Sequence, residues 1–268
     1  MNSPKELISS LQNPRIKNIQ RLKEKSRERK KQHLFLIEGA RELNFALQCD
    51  YQLNSVFFCR ELFEKTDYPE ILALIPPNML FDVTRNVFEK LVYRENSDGI
   101  LALCVPKDHS LENLRLSENP FVIVLESVEK PGNLGAVLRT ADAAAADAVI
   151  ICDPLTDIYN PNVIRSGVGC IFTVPVAVAG NEETLHFLQK KRIRSFAAEL
   201  TAAQWYQDID FCSPSAIIMG TEADGLTDFW LQNADSRIKI PMRGRIDSLN
   251  VSVSTAVLTF EAMRQRGF

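Results

Sequence analysis

Three stretches of this 268-residue chain bring polar side chains together with the turn residues that could place them. The first is Lys130-Pro131-Gly132-Asn133-Leu134-Gly135-Ala136, running on to Arg139-Thr140-Ala141-Asp142. The second is Met219-Gly220-Thr221-Glu222-Ala223-Asp224-Gly225-Leu226. The third is Ile240 to Thr255, I-P-M-R-G-R-I-D-S-L-N-V-S-V-S-T. Each follows an apolar or alternating run and leads into a helical pattern. A strand, a polar loop and a helix N-terminus are the parts with which open α/β folds place ligands. The helix N-terminus that closes such a unit is a place where an anion can dock. Taken singly, the third stretch is equally well read as an ordinary βα loop with nothing bound, and the second as a turn with exposed acids.

The helices behind these loops carry their own signals. Asn133 can cap the helix of the first stretch, and Leu134, Val137, Leu138, Ala141 and Ala145 form an apolar stripe. The alanine run Ala143–Ala146 is strong helix material. Gly135, Arg139 and Asp142 fall on another face, where the glycine would open space beside Arg139 and Asp142 would hold its guanidinium. A surface ion pair of little worth is the plainer alternative. In the third stretch Asn250 is a good N-cap, followed by Val253, Ala256, Val257 and Phe260 at helical spacing. Neither G-x-G-x-x-G nor a phosphate-loop motif is present. Gly167-Val168-Gly169 is a decoy, since Phe172 stands where the third glycine belongs.

The elements that must position these loops read as α/β. Phe121–Glu126 and Ala148–Cys152 are near-continuous apolar strands of the kind buried in a parallel sheet. Further strands are expected at Phe172–Val178, Arg194–Ala198, Ser215–Met219 and Arg237–Ile240, with helices between most of them. Upstream, Leu34–Gly39, Leu53–Phe58 and Ile100–Cys104 read as strands, and Arg41–Leu47 and Thr84–Val92 as helices. This divides the chain into a small α/β domain (1–105), a polar linker (106–120) and a mostly parallel α/β domain (121–268).

Charge is unevenly distributed. Arg15 to Lys31 holds nine basic residues against Glu24 and Glu28, which is +7. With a total of −3, the remaining chain carries −10. Ile16, Ile19 and Leu22 mark one narrow helical face there. The basic run is either a solvated surface helix or a phosphate-contacting arm. The chain is 46% hydrophobic and 24% charged, as expected of a globular protein with a real core. Six cysteines without a C-x-x-C pair read as reduced core residues of a cytoplasmic protein, and three scattered histidines argue against a metal site. No apolar run approaches the ~20 residues of a membrane span.

Taken together, the three stretches resemble the SpoU (TrmH-type) RNA 2′-O-ribose methyltransferases of the knotted SPOUT class. The resemblance runs from Phe121 to the C-terminus and includes Tyr159-Asn160-Pro161-Asn162-Val163-Ile164-Arg165. More loosely, Ser10–Lys17 and Phe35–Gly39 resemble the small RNA-binding domain that often precedes this catalytic domain. The departures are Lys130 where Asp or Asn is frequent, Ala144-Ala145 in place of an aromatic-glycine pair, and Ala223 in place of a glycine.

The resemblance implies a deep trefoil knot at the C-terminal end and a homodimer with active sites at the subunit interface. It implies S-adenosylmethionine held largely by backbone groups at Gly220, Ile240 and Leu249, with Ser248 beside them. Arg139, Asn133, Glu222 and Asn250 become the catalytic set, and Arg15, Lys17, Arg21 and Arg165 the RNA contacts. An arginine is effectively never deprotonated, so Arg139 is assigned a charge-stabilising role. The implied substrate is a ribose 2′-hydroxyl of structured RNA, with ribosomal RNA favoured over transfer RNA. A catalytically inactive RNA-binding or assembly protein of the same fold is the rival from another class. Arg243 and Arg245 receive no role.

Overall fold

The computed structural model describes residues 6–64, 66–93, 97–221 and 223–267. The first hundred residues give β1 (Leu7–Ile8), α1 (Pro14–Glu24), α2 (Ser26–Gln32), β2 (Phe35–Glu38), α3 (Ala40–Gln48), β3 (Leu53–Phe58), α4 (Arg60–Phe63), β4 (Leu80–Val83), α5 (Arg85–Phe88) and β5 (Ile100–Cys104). Then come β6 (Phe121–Glu126), α6 (Pro131–Ala143), β7 (Ala148–Cys152), α7 (Pro161–Ser166), α8 (Cys170–Thr173), β8 (Val176–Ala179) and α9 (Asn181–Lys191). The remainder is β9 (Arg194–Ala198), β10 (Gln204–Trp205), β11 (Ser215–Met219), α10 (Asp228–Asn233), β12 (Ser236–Lys239) and α11 (Val251–Arg266).

The chain forms two compact units. One comprises Met1–Lys107 together with Tyr159–Thr173, and the other Asp108–Ile158 together with Val174–Phe268. The sequence division into contiguous blocks does not contain this exchange. Tyr159–Thr173 belongs to the first unit because its aromatics pack there: Tyr159 stacks on Phe35 at 4.1 Å, and Phe172 lies 5.1 Å from Tyr51. Nor is the whole of 106–120 a spacer. Leu111 and Leu114 are buried in the core of the second unit, and the His109 carbonyl accepts from Val178 N at 2.7 Å.

In the first unit the sheet order is β1-β4-β3-β5-β2, with β5 antiparallel to both neighbours. The short β1 and β4 had no sequence signal strong enough to mark them. The expected Thr84–Val92 helix is only the four-residue α5. Asn13 caps α1 by accepting from Arg15 N at 2.9 Å, Pro14 follows it, and Ile16, Ile19 and Leu22 are the buried stripe. The basic run breaks at Lys25 into two helices. Arg29 is buried and donates to the Leu22 and Lys23 carbonyls at 2.7 and 3.3 Å, satisfying carbonyls left over at the end of α1. One of the nine cations is therefore structural.

In the second unit seven parallel strands are ordered β10-β12-β9-β11-β6-β7-β8. Val122 and Val124 of β6, Ile150 of β7 and Ile218 of β11 share one core with Leu188 and Trp230 from the helices. All strands point the same way, so every following loop emerges at one edge.

Three local expectations are corrected. The strand placed over Phe172–Val178 is split: Cys170–Thr173 is helix, Pro175 intervenes, and only Val176–Ala179 pairs, with β7. The alanine run does not extend α6. The helix ends at Ala143, and Ala145 takes a left-handed φ of 48° so that the chain can turn into β7. In α11 the stripe Val253, Ala256, Val257, Phe260 is not the core face. Val251, Thr255, Leu258, Thr259 and Ala262 are buried, while Val253 and Phe260 are 48% and 42% exposed. Apolar residues are spread around this helix and two of its buried residues are threonines, so periodicity could not choose its inner side.

Candidate active site

At the edge of the second sheet one polar residue of the first stretch, Asn133, meets one of the third, Asn250. α6 starts at Pro131 with Lys130 as its N-cap, so Asn133 sits in the first turn and is not the cap. Asn250 is the cap of α11, and its Oδ1 accepts from Ser252 N at 3.0 Å and Ser252 Oγ at 2.6 Å. These two bonds fix the orientation of the Asn250 amide. Its Nδ2 then donates to Asn133 Oδ1 at 3.3 Å, across 117 residues of sequence. Two helix N-termini thus converge on one pair of amides, and the first-turn N–H groups of both favour negative charge there.

The second stretch forms a tight loop beside them. Thr221 N donates to the Gly225 carbonyl at 2.9 Å, and Gly225 N returns a bond to the Thr221 carbonyl at 3.1 Å. Gly225 has φ +70°, and a Cβ on Gly220 would lie 2.1 Å from the Gly225 carbonyl carbon. The glycine at 220 is therefore demanded by the loop folding back on its own backbone. Behind the loop, Glu126 is buried at the end of β6. Its carboxylate accepts from Thr227 N (2.8 Å), Thr227 Oγ1 (2.7 Å) and Asn181 Nδ2 (2.8 Å), and Trp230 Nε1 donates to Asn181 Oδ1 at 2.7 Å. Three donors hold this buried acid and tie the start of α10 to the sheet. Sequence reasoning missed Glu126; the available signal was an acid closing an otherwise unbroken apolar strand.

A cavity of about 210 Å³ opens here, lined by Val128, Glu129, Lys130, Asn133, Gly220, Thr221, Ala223 and Val251. Of the residues expected in the site, Asn133 and Gly220 line it and Asn250 adjoins it. Ile240 and Leu249 are half-buried and Ser248 is exposed, and none of the three lines this cavity. Glu222 lies outside the described residues. Arg139 is exposed six residues beyond Asn133, about 9 Å along the helix and roughly 120° around it. Gly135 is buried in the same helix.

Arg15, Lys17 and Arg21 are exposed on α1 of the first unit. Lys17 and Arg21 are one turn apart, whereas the Arg15 guanidinium lies 4.3 Å from the centre of the Phe81 ring. Arg165 is exposed on α7 and donates to Asn162 Oδ1 at 3.0 Å. All six cysteines are free thiols. Burial pushes the Cys152 thiol up to about 12 and raises that of Cys104, so neither is suited to act as a nucleophile. Among the described residues no group of three or more His, Cys, Asp or Glu is placed to hold a metal ion, and no helix is long and apolar enough to cross a membrane.

The fold and the converging loops are those of a known class. Residues 120–260 match the SpoU rRNA Methylase family, and residues 13–102 match the MRM3-like substrate binding domain. The chain belongs to the SpoU rRNA methylase family. A 23S rRNA (guanosine(2553)-2'-O)-methyltransferase, RlmP, from Bacillus subtilis (strain 168) is 29% identical over 253 residues, covering 94% of this chain and 97% of its own length. A solved RNA 2'-O ribose methyltransferase shares 38% identity, with a TM-score of 0.83 over 97% of this chain and 99% of its own. The AdoMet-bound rRNA methyltransferase from Sinorhizobium meliloti shares 26% identity, with a TM-score of 0.86 over 96% and 97% of the two chains.

Proposed function

We propose that this protein transfers a methyl group from S-adenosylmethionine to the 2′-hydroxyl of a ribose in structured RNA, with ribosomal RNA as the substrate. The observation that carries this reading is the Asn133–Asn250 bond joining two helix N-termini beside the Gly220 loop. The likenesses to RlmP and to an AdoMet-bound rRNA methyltransferase support the substrate and the cofactor.

The residues present fit the cofactor. The cavity combines apolar Val128 and Val251 with the backbone of Gly220 and Thr221, as an adenosyl group needs. At about 210 Å³ it takes part of such a molecule. The 240–249 loop takes the rest, through backbone groups at Ile240 and Leu249 with Ser248 beside them. When bound, S-adenosylmethionine supplies an electrophilic methyl group on a sulfonium.

The chain's own residues do the remaining work. Asn133 and Asn250 orient the ribose, with Asn250 held as a rigid cap and Asn133 keeping its amide donor for the substrate. Arg139 stays charged and stabilises the oxyanion forming at the 2′-oxygen or the adjacent phosphate. Because Arg139 stands apart from the cavity on its own helix, the site is completed in a homodimer. The exposed Val253 and Phe260 of α11 support an interface along that helix. The deep trefoil knot is read for the same C-terminal segment, and the cytoplasm is the compartment. The first unit is the RNA-binding domain, using Arg15, Lys17 and Arg21 of its basic helix and Arg165 of α7.

Arg139→Ala is expected to cut turnover about 100- to 1000-fold, the range for removing one charge-stabilising donor, while calorimetry still registers S-adenosylmethionine. Unchanged turnover on the RNA identified by ribose-methylation maps of cells with and without the gene would overturn the assignment.

A further inference from the structure

The chain holds two tryptophans, and their settings are opposite. Trp230 is fully buried and hydrogen-bonded to Asn181. Trp205 is 40% exposed on β10, a two-residue strand at the edge of the second sheet. β10 pairs in parallel with β12, and Trp205 stands opposite Lys239. The Lys239 ammonium lies 4.6 Å from the centre of the indole. Immediately after Lys239 the chain enters the 240–249 loop, where Arg243 and Arg245 are exposed and have no assigned role.

Charge distinguishes this edge. Residues 237–247 contain Arg237, Lys239, Arg243 and Arg245 against Asp247, a net +3 within a chain of −3. The acids nearest in sequence on the β10 side are Glu199 and Asp208. Glu199 is half-buried and accepts from Thr201 N and Oγ1 through one oxygen. β10 lies three strands from β11 and four from β6, so Trp205 is about 14 and 19 Å across the sheet from the two strands that open onto the cavity. An exposed aromatic with a cation over it, and two more exposed cations in the loop that leaves that cation's strand, matches the way single-stranded nucleic acid is held. Bases stack on the ring and phosphates meet the cations.

We propose that Trp205, with Lys239, Arg243 and Arg245, forms a stacking platform for an unpaired base of the RNA near the methylated nucleotide. The proposal rests on RNA being the substrate and assigns the catalytic unit its own RNA-binding surface. Trp205 acts as a positioning residue and takes no part in methyl transfer.

Trp205 is also its own reporter, because Trp230 is shielded. Titration with a single-stranded oligouridylate should quench indole fluorescence, more weakly at high salt, whereas an RNA duplex should quench it little. Trp205→Phe should abolish the quenching and keep most of the affinity. Trp205→Ala should weaken oligouridylate binding about 5- to 150-fold, the range for losing one stacked base. With the RNA substrate it should raise KM, leave kcat at saturating RNA unchanged, and leave S-adenosylmethionine affinity untouched. The proposal is overturned if quenching persists in Trp205→Phe or if Trp205→Ala binds RNA normally. It is equally overturned if Trp205→Ala converts a dimer to a monomer in sedimentation, which would make this edge a contact between copies. Failure of the platform with methyl transfer intact leaves the proposed activity standing; absence of transfer to any RNA removes both.

Discussion

Asn250 offers a test that separates folding from catalysis. Its Oδ1 caps α11 through Ser252 N, and its Nδ2 reaches Asn133. Asn250→Ala removes both functions. Loss of an N-cap costs about 1 kcal/mol, within a range of about 0.5–2 kcal/mol. For a unit of this size that lowers Tm by about 2–4 °C per kcal/mol. Asn250→Asp keeps a cap oxygen, adds a favourable charge at the N-terminus of α11 and deletes only the donor facing Asn133. Rotation of the Asn133 amide restores a bond but turns its donor away from the substrate. The expectation is that Asn250→Asp melts at or above the wild-type temperature and yet loses about tenfold or more in kcat, the scale of one misdirected bond of about 1.4 kcal/mol in the transition state. Thermal melts beside methyl transfer to the RNA substrate at saturating S-adenosylmethionine decide it. Full activity in Asn250→Asp, or a fall in Tm equal to that of Asn250→Ala, would reduce Asn250 to an ordinary cap.

Two further perturbations address the loop beside the cavity. Gly220→Ala places a methyl group 2.1 Å from the Gly225 carbonyl carbon. The loop must open, at a cost of about 1–3 kcal/mol, and calorimetry should show S-adenosylmethionine affinity falling while the rest of the sheet stays folded by circular dichroism. Glu126→Ala leaves the buried donors at Thr227 and Asn181 without their acceptor. Each costs about 1–3 kcal/mol, so urea unfolding should register a loss of at least that size, and Glu126→Gln should recover part of it.

The large elements of the second unit were legible because their physics is local. Phe121–Leu125 and Ala148–Cys152 are apolar without a break, and only a strand covered on both faces tolerates that. Asn250 announced the start of α11 by its type and place. What escaped the sequence depended on distant partners. The inner face of α11 is chosen by its neighbours, since Val253 and Val251 are equally apolar yet lie on opposite sides. Ala145 left the helix because the chain had to turn into β7, which outweighs alanine's preference. Asn133 looked like a cap, but Pro131 starts the helix two residues earlier. Glu126 was invisible as a clamp because its donors come from 55 and 101 residues further along.

The return of Tyr159–Thr173 to the first unit bears on how such a protein can be altered by recombination. The chain passes between its units three times, after Lys107, after Ile158 and after Thr173. Exchange at a single junction near Lys107 would therefore join a foreign first unit to a second unit that still encodes the stacking partner of Phe35. Tyr159, Ile164 and Phe172 would face a surface they did not evolve with. Each unit has its own sheet and core, yet the segment that completes the first is encoded inside the second.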